Sequence, residues 1–582
     1  MIKYICHNCN DIECETSTCP VCGQRASVAS TSIYWCKECN CPSFSCVCEK
    51  CGNECEYIST DLRPVFPQER LLLEVLLGHP FCYAGKSVWN ANGNTYIIDS
   101  QKKTISFSSI IRESNVQNII SSLKQFKEKN KIYCDEFYKN DYIKNFIEVN
   151  KYRLKDISNE AYAYIKKISS DYTSDSMFVS FSGGKDSTVT SHLVLTALSG
   201  QNIVHIYGDT TLEYPSTHDY IQRFKKENPT IPMLVAKNID QSFLNLCEVI
   251  GPPSRVLRWC CTVFKTGAIT KKIENTFSNK SRILTFYGIR RNESASRSKY
   301  ERESQSPKIT KQFVASPIID WLDFDVWLYI ISNRIDFNDA YLQGFSRVGC
   351  WCCPNNSDWS GFLSSIYMNE QYNAFRQMLI THALKTGKTD PDEYVDTGKW
   401  KARQGGNGLD YSRNVIVNYK PCAVDSKSFN FELTKEINDT LYTLFIPLGI
   451  INKEIGNKRL NEVYVLDHKT QVPIFSLIGK PGQNQLKVTI HNGAEKLGNM
   501  KEIESLIRNQ ITKFQTCISC HACESICRFD AIKVINSSKG NASSDNTLYL
   551  IDSNKCKHCL ECVKHFSGGC YMQKVLRTKR GE

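Results

Sequence analysis

The chain has 582 residues, 41% of them hydrophobic, and a formal net charge of +12. That length supplies several domains with chain enough for real cores, while no apolar run approaches the roughly 18 residues of a membrane span and no apolar signal region precedes Cys6. The expectation is a soluble, cytoplasmic protein without membrane contact, whose 29 cysteines, many in C-x-x-C pairs, serve metals in a reducing compartment rather than disulfides. Five sites of four thiolates would carry about −2 each and lower +12 to about +2, so the charge alone does not argue for nucleic acid. The basic tail at Lys574, Arg577, Lys579 and Arg580 reads as a solvated terminus.

Residues 1–58 contain a repeat. Cys6, Cys9, Cys19 and Cys22 are echoed about thirty residues later by Cys36, Cys39, Cys48 and Cys51, each copy being two C-x-x-C knuckles. Four thiolates at this spacing can surround one Zn2+, and so short a segment could hardly fold without an ion. Two zinc ribbons are expected, with a redox-active iron site as the alternative; Cys14, Cys41, Cys46 and Cys55 are left over. A ribbon can bind nucleic acid or protein, or act as a brace.

Residues 59–170 show no chemistry. A helix over 68–77, strands between Phe81 and Phe107 turning at Asn92-Gly93, and helices up to Lys167 make a small α+β adaptor.

Over residues 171–357 strands alternate with helices, which argues α/β with a doubly wound parallel sheet and ligands at the carboxyl ends of its strands. Met177-Phe178-Val179 leads into Ser180-Phe181-Ser182-Gly183-Gly184-Lys185-Asp186-Ser187-Thr188, then a helix. Paired glycines and a helix N-terminus beside a lysine suit a phosphate chain. Ser182, Gly183, Gly184, Lys185, Asp186 and Ser187 are therefore nucleotide-binding candidates, joined after later strands by Asp209, Thr210 and Glu213, and by Gly288, Arg290, Arg291 and Arg297. The vicinal pair Cys260-Cys261 and the C-x-x-C of Cys350 and Cys353 could give four thiolates to one centre, with Cys352 an extra thiol.

Residues 358–510 read as helical, then strand-rich, with strand-like runs at 441–446 and 462–466 and a basic loop at 401–408. In residues 511–582, Cys517, Cys520, Cys523 and Cys527 stand as C-x-x-C-x-x-C-x-x-x-C, answered by Cys556, Cys559, Cys562 and Cys570.

Three resemblances follow. The last segment resembles a bacterial two-cluster ferredoxin, which implies one [4Fe-4S] centre on Cys517, Cys520, Cys523 and Cys570 and another on Cys556, Cys559, Cys562 and Cys527. Arg528 replaces the usual proline, and the Cys562–Cys570 gap is longer than usual. The Ser182–Ser187 loop resembles the S-G-G-x-D-[ST] motif of ATP pyrophosphatases, which cleave ATP between the α and β phosphates. The order of this loop, Asp209-Thr210-Thr211-Leu212-Glu213, Cys260-Cys261, Gly288-Ile289-Arg290-Arg291, Pro317-Ile318-Ile319-Asp320-Trp321 and Cys350/Cys353 resembles the phosphoadenosine phosphosulfate (PAPS) reductase family, over roughly 175–356. That implies an adenine nucleotide alpha-hydrolase-like fold and a third [4Fe-4S] centre on Cys260, Cys261, Cys350 and Cys353.

Two departures shape the functional expectation. The pyrophosphatase form of the loop is intact at Lys185 and Asp186, and the E-C-G-[IL]-H segment with the family's nucleophilic cysteine is missing. The favoured expectation is ATP α,β-cleavage coupled to sulfur transfer. Lys185, Asp186, Arg290 and Arg291 would be catalytic, Mg2+ and ATP bound, a cysteine desulfurase or similar protein the sulfur donor, and DNA or tRNA the acceptor. The alternatives are reduction of a sulfonucleotide (APS or PAPS) to sulfite, with the ferredoxin segment passing electrons from a donor, and a non-catalytic redox or nucleotide-sensing subunit.

Overall fold

The computed structural model describes residues 2–6, 9, 12–14, 19–23, 27–91, 93–239, 242–294, 297–306, 311–402, 417–517, 522–527, 529–536, 547–566, 568–570 and 572–573. At its centre is a sheet built from β1 (Met177–Phe181), β2 (Val204–Asp209), β3 (Met233–Lys237), β4 (Ile283–Tyr287), β5 (Glu303–Gln305) and β6 (Gln312–Ala315). The order is β3-β2-β1-β4-β6-β5; all neighbours run parallel except the edge strand β5. Apolar residues continue along β1 and β4 because both faces are covered. Phe178 packs on one face with Ile273 and Phe277, and Met177 and Val179 on the other with Val189 and Leu193. The expected α/β doubly wound sheet is present.

Strand order reverses between β1 and β4, which opens a crevice at their carboxyl ends. Two helices that pack against each other on one face of the sheet begin beside it: α1 (Lys185–Ala197), directly after β1, and α5 (Asp323–Asn333). Between them in sequence lie α2 (Pro215–Glu227), α3 (Phe243–Ile250) and α4 (Gly267–Thr276).

The sequence repeat at the N-terminus is also a repeat of structure. Ile2–Cys6 lies between Ile12–Cys14 and Ser27–Thr31, as Ile33–Cys36 lies between Cys41–Ser43 and Glu56–Ser59. A four-stranded antiparallel meander, from Arg63–Pro64 to Gln101–Thr104, and helices between Phe107 and Ser169 follow. This region is locked to the central sheet. Arg153, on the helix Lys151–Ser169, grips the fully buried Asp325 with two bonds of 2.9 and 2.8 Å.

Beyond the central sheet come three helices between Asp358 and Asp396, and then a six-stranded antiparallel sheet spanning Asn418–Ile490. The 462–466 run is a strand, but 441–446 is not. Asn438 caps a helix over Asp439–Thr443, and a 3-10 turn over Ile446–Leu448 follows. Leu441, Leu444, Phe445 and Leu448 are all buried, and an apolar run buried on every side carries no period to tell helix from strand. Most of the expected 401–408 loop lies outside the described residues. The helix Met500–Thr516, capped by Asn499 and Glu502, delivers the chain to Cys517 and to the hairpin Ile532–Asn536/Thr547–Ile551. Among the described residues no helix is long and apolar enough to cross a membrane.

Arg153→Ala would strand the Asp325 carboxylate without its partner. A loss of about 3–5 kcal/mol is expected, read as a lower denaturant midpoint, with Asp325→Asn in the same chain recovering most of it.

Candidate active site

The turn between β1 and α1 is held by its own side chains. Ser187 Oγ accepts from the Ser182 amide at 3.1 Å and donates to the Gly184 carbonyl at 2.8 Å. Gly183 has φ +72, and a Cβ there would press on Thr217 at 3.0 Å. The Lys185 amide donates to Tyr341 Oη at 3.0 Å.

Four charges meet behind this turn. Lys185 Nζ lies 3.1 Å from Asp323 and 3.4 Å from Asp186, while Arg290 donates to Asp186 at 2.5 Å and to Asp323 at 2.7 Å. Burial works against the charge of Lys185, but Asp186 and Asp323 reverse this and hold its pKa above the ordinary lysine value. Burial likewise opposes ionisation of Asp186, and Arg290 and Lys185 overcome it, so the carboxyl stays below its usual range. Two cations and two anions balance, which lets Lys185 and Arg290 stay charged although each is under 5% exposed.

The knot borders a cleft of about 430 Å³. Its lining includes Ser182, Gly184 and Gly288, the cations Lys265, Arg297 and Arg347 with Cys350, and Asp61, Arg63 and Asn90 from the N-terminal region; Arg297 also pairs with Glu293. Burial, with Arg347 nearby, pulls the Arg297 guanidinium below its ordinary pKa. So cationic a group of side chains suits phosphate or sulfate oxygens.

Cys350 joins this cleft to the central cysteines. The loop after β2, where Thr211 sits at φ +66, pairs with the Cys350 turn: Trp351 donates to the Leu212 carbonyl at 2.9 Å, and Thr210 Oγ1 lies 3.4 Å from Cys350 Sγ. Cys260 ends where a π-helical turn, Cys261–Thr266, leads into α4. Its thiol is pushed far up, first by its bond to Cys261, then by burial and by Cys350. Burial also raises Cys353, and Cys261 adds to it. Cys350 is pushed up to about 12 by burial and Glu213. Cys260 thus bonds Cys261, and Cys350 and Cys353 lie near enough to act on that pair, which puts the four thiols in one neighbourhood.

Residues 176–356 match the model of the phosphoadenosine phosphosulfate reductase domain. The likeness expected from the order of motifs over roughly 175–356 is matched over this stretch. An uncharacterized protein of Methanocaldococcus jannaschii is 33% identical over 215 residues, 36% of this chain and 50% of the relative; a second from the same organism is 34% identical over 31% of this chain and 36% of the relative. The chain thus spans half or less of these relatives' lengths. The adenosine 5'-phosphosulfate reductase of Neisseria meningitidis serogroup A is 29% identical over 186 residues, 31% of this chain and 71% of the relative. The crystal structure of the PAPS reductase of Candida auris is 14% identical, covering 34% of this chain and 94% of that one with a TM-score of 0.26.

Within the PAPS reductase domain, Ser182, Gly184, Lys185, Asp186, Ser187, Arg290 and Arg297 come together at the cleft. Arg291 does not line it: it pairs with Asp320 and donates to the Tyr300 carbonyl at 2.9 Å. Arg290 lines the cleft but is engaged by Asp186 and Asp323. Asp209 is not among the lining residues; it lies 3.1 Å from Lys237, with a carboxylate oxygen within 4.8 Å of one of Glu213 and of a ring nitrogen of His218. Sequence reasoning missed Asp61, Asp323, Tyr341 and Arg347. Only Asp323 carried a signal, three residues beyond the Asp320 of the family motif.

Outside the PAPS reductase domain, Cys36, Cys39, Cys48 and Cys51 can hold a metal ion, their sulfurs all within 4.8 Å of one another. Cys9, Cys19 and Cys22 form a similar set; the side chain of Cys6 lies outside the described residues. Cys527, Cys556, Cys559 and Cys562 line one small cavity, and Cys523, Cys562, Cys570 and Cys517 all act on the buried ammonium of Lys513. Cys520 lies outside the described residues. One core runs from Trp259, Phe264 and Cys352 to Cys523, Cys562 and Cys570, and the helix Ala522–Ile526 packs against α4 and the π-helical turn.

Gly288 is where β4 passes beneath the loop: a Cβ there would lie 2.6 Å from the backbone of Asp186 and 2.8 Å from the Ser187 nitrogen. Backbone cannot swing aside, so Gly288→Ala displaces the loop at a cost of about 1–3 kcal/mol. Calorimetry should read a roughly tenfold or greater loss of ATP affinity; unchanged affinity would contradict a nucleotide seat at Ser182–Ser187.

Proposed function

We propose that the PAPS reductase domain binds ATP with its phosphate chain on Ser182–Ser187 and cleaves it between the α and β phosphates, coupled to sulfur transfer onto an acceptor. The observation that carries this reading is the intact Lys185–Asp186–Arg290–Asp323 knot facing the same cleft as Cys350. An acceptor oxygen attacks the α phosphorus, the bond to the bridging oxygen breaks, and pyrophosphate leaves with the electron pair. Lys185 offsets the charge gathering on pyrophosphate, as Mg2+ would when bound, and Arg297 with Arg347 hold the acceptor's anionic group. The terminal persulfide sulfur of a donor such as a cysteine desulfurase then bonds to the acceptor atom that carries the adenylated oxygen, AMP leaves with that oxygen, and a thiol reductant supplies the two electrons that split the remaining S–S bond and free the donor's thiol, with DNA or tRNA as the acceptor class to test.

Cys260, Cys261, Cys350 and Cys353 would hold a [4Fe-4S] centre, and the two C-terminal sets, with Cys520 completing the first, would hold two more. When bound, these centres supply one-electron chemistry. Zn2+ is proposed for the N-terminal sets. Tetrahedral thiolates at about 2.3 Å from zinc stand about 3.8 Å apart, and the sulfur pairs Cys36–Cys51, Cys39–Cys48 and Cys9–Cys19 are separated by 3.5, 3.7 and 3.9 Å. Domains follow: ribbons over 1–58, an adaptor over 59–170, the nucleotide domain over 171–357, a further domain over 358–510 and a ferredoxin-like module over 511–582.

A second reading, two-electron reduction of APS or PAPS to sulfite and the adenosine phosphate, is favoured by the similarity to a named adenosine 5'-phosphosulfate reductase and by the core shared with the C-terminal cysteines. An anaerobic assay of the metal-loaded chain separates the two. Pyrophosphate from ATP, with DNA or tRNA supplied, is expected from the wild type and reduced at least about a hundredfold in Lys185→Ala. Sulfite from APS or PAPS with a strong reductant, and no pyrophosphate, would overturn the first reading in favour of the second.

A further inference from the structure

We propose that Asp61 is a positioning residue of the nucleotide cleft, held in place by the metal ribbon of Cys36, Cys39, Cys48 and Cys51, so that nucleotide affinity depends on the ribbon's metal. This rests on the reading that Ser182–Ser187 seats a nucleotide.

The helix α5 begins without a cap of its own for its first amides, because Leu322 stands at the N-cap position. Asp61 supplies that cap from 262 residues away. Its Oδ2 accepts from the Asp323 amide at 2.9 Å and from Asn292 Nδ2 at 3.1 Å; its Oδ1 accepts from the Phe324 amide at 3.0 Å and the Leu62 amide at 2.8 Å. Asp323, whose amide is fixed in this way, is the residue whose side chain meets both Lys185 and Arg290. The backbone of the four-charge knot is therefore tied to the N-terminal region. Asp61 also lines the cleft, as does Arg63, which Glu69 grips with bonds of 2.6 and 2.7 Å.

The ribbon holds this segment from behind. Strand Glu56–Ser59 pairs with Ile33–Cys36, which ends on a ligand of the set, and Ser59 Oγ donates to the Asp61 carbonyl at 2.7 Å. Thr31 bonds the intervening Thr60 carbonyl. The ribbon in turn is fastened to the adaptor helices: Asn145 donates to the Cys39 carbonyl at 2.8 Å, and Asn150 accepts from the Phe44 amide at 2.8 Å. A segment this small, with buried cysteines around one centre, keeps its shape only while the ion is present.

The test measures ATP binding to the full chain by calorimetry, together with zinc content per chain and amide exchange at Asp323 and Phe324. Asp61→Ala is expected to weaken ATP about five- to thirtyfold and to speed exchange at both amides. Asp61→Asn, which still caps, should recover most of the affinity. Cys39→Ser should lose one zinc and weaken ATP to a similar extent with Asp61 intact. If Lys185→Ala weakens ATP while Asp61→Ala and Cys39→Ser bind as the wild type does, the proposal is overturned. If Lys185→Ala also leaves ATP binding unchanged, the nucleotide reading falls, and this proposal with it.

Discussion

The balance of charge among Lys185, Asp186, Arg290 and Asp323 is the constraint on which the rest of the structure depends. A buried lysine and a buried arginine survive beside an anion-binding turn only because two carboxylates compensate them. Those carboxylates come from two neighbouring helices, one from the first turn of α1 and the other from the first residue of α5. Holding the two helix starts in register is therefore the same task as holding the site together. Gly288 allows the closest approach, and Asp61 reaches across from the N-terminal region to pin the α5 end.

The flanking regions meet the central domain at different places. Residues after the second cysteine set contribute Asp61, Arg63 and Asn90 to the cleft lining. The C-terminal segment instead packs behind α4 and the π-helical turn that begins at Cys261, and its core is continuous with Trp259 and Cys352. Cys350, which lines the cleft and also influences Cys260, stands between the two. The cationic side chains of the cleft and the central thiols therefore share a boundary at Cys350, which is the feature the proposed chemistry draws on.

Most of this was legible where the signal was local. The Ser182–Ser187 turn, the alternation of strands and helices, and the C-x-x-C pairs each carry their meaning within a dozen residues, because a tight turn and a thiolate pair are short-range demands. Asp323 and Asp61 were illegible because their role exists only after α5 meets α1 and the chain returns across 262 residues. Arg290 and Arg291, adjacent in sequence, part company in space: one turns into the knot and the other outward to Asp320. The 441–446 run reads as strand-like because its apolar residues are buried without the period that separates strand from helix.

The most direct measurement of whether nucleotide and thiol chemistry share this cleft is the electron paramagnetic resonance spectrum of the anaerobically reduced, metal-loaded chain, with and without saturating ATP. The account predicts that ATP alters a signal that Cys350→Ser removes, and that Lys185→Ala abolishes the alteration while leaving the signal itself. Superimposable spectra from wild-type protein to which calorimetry shows ATP bound would contradict it.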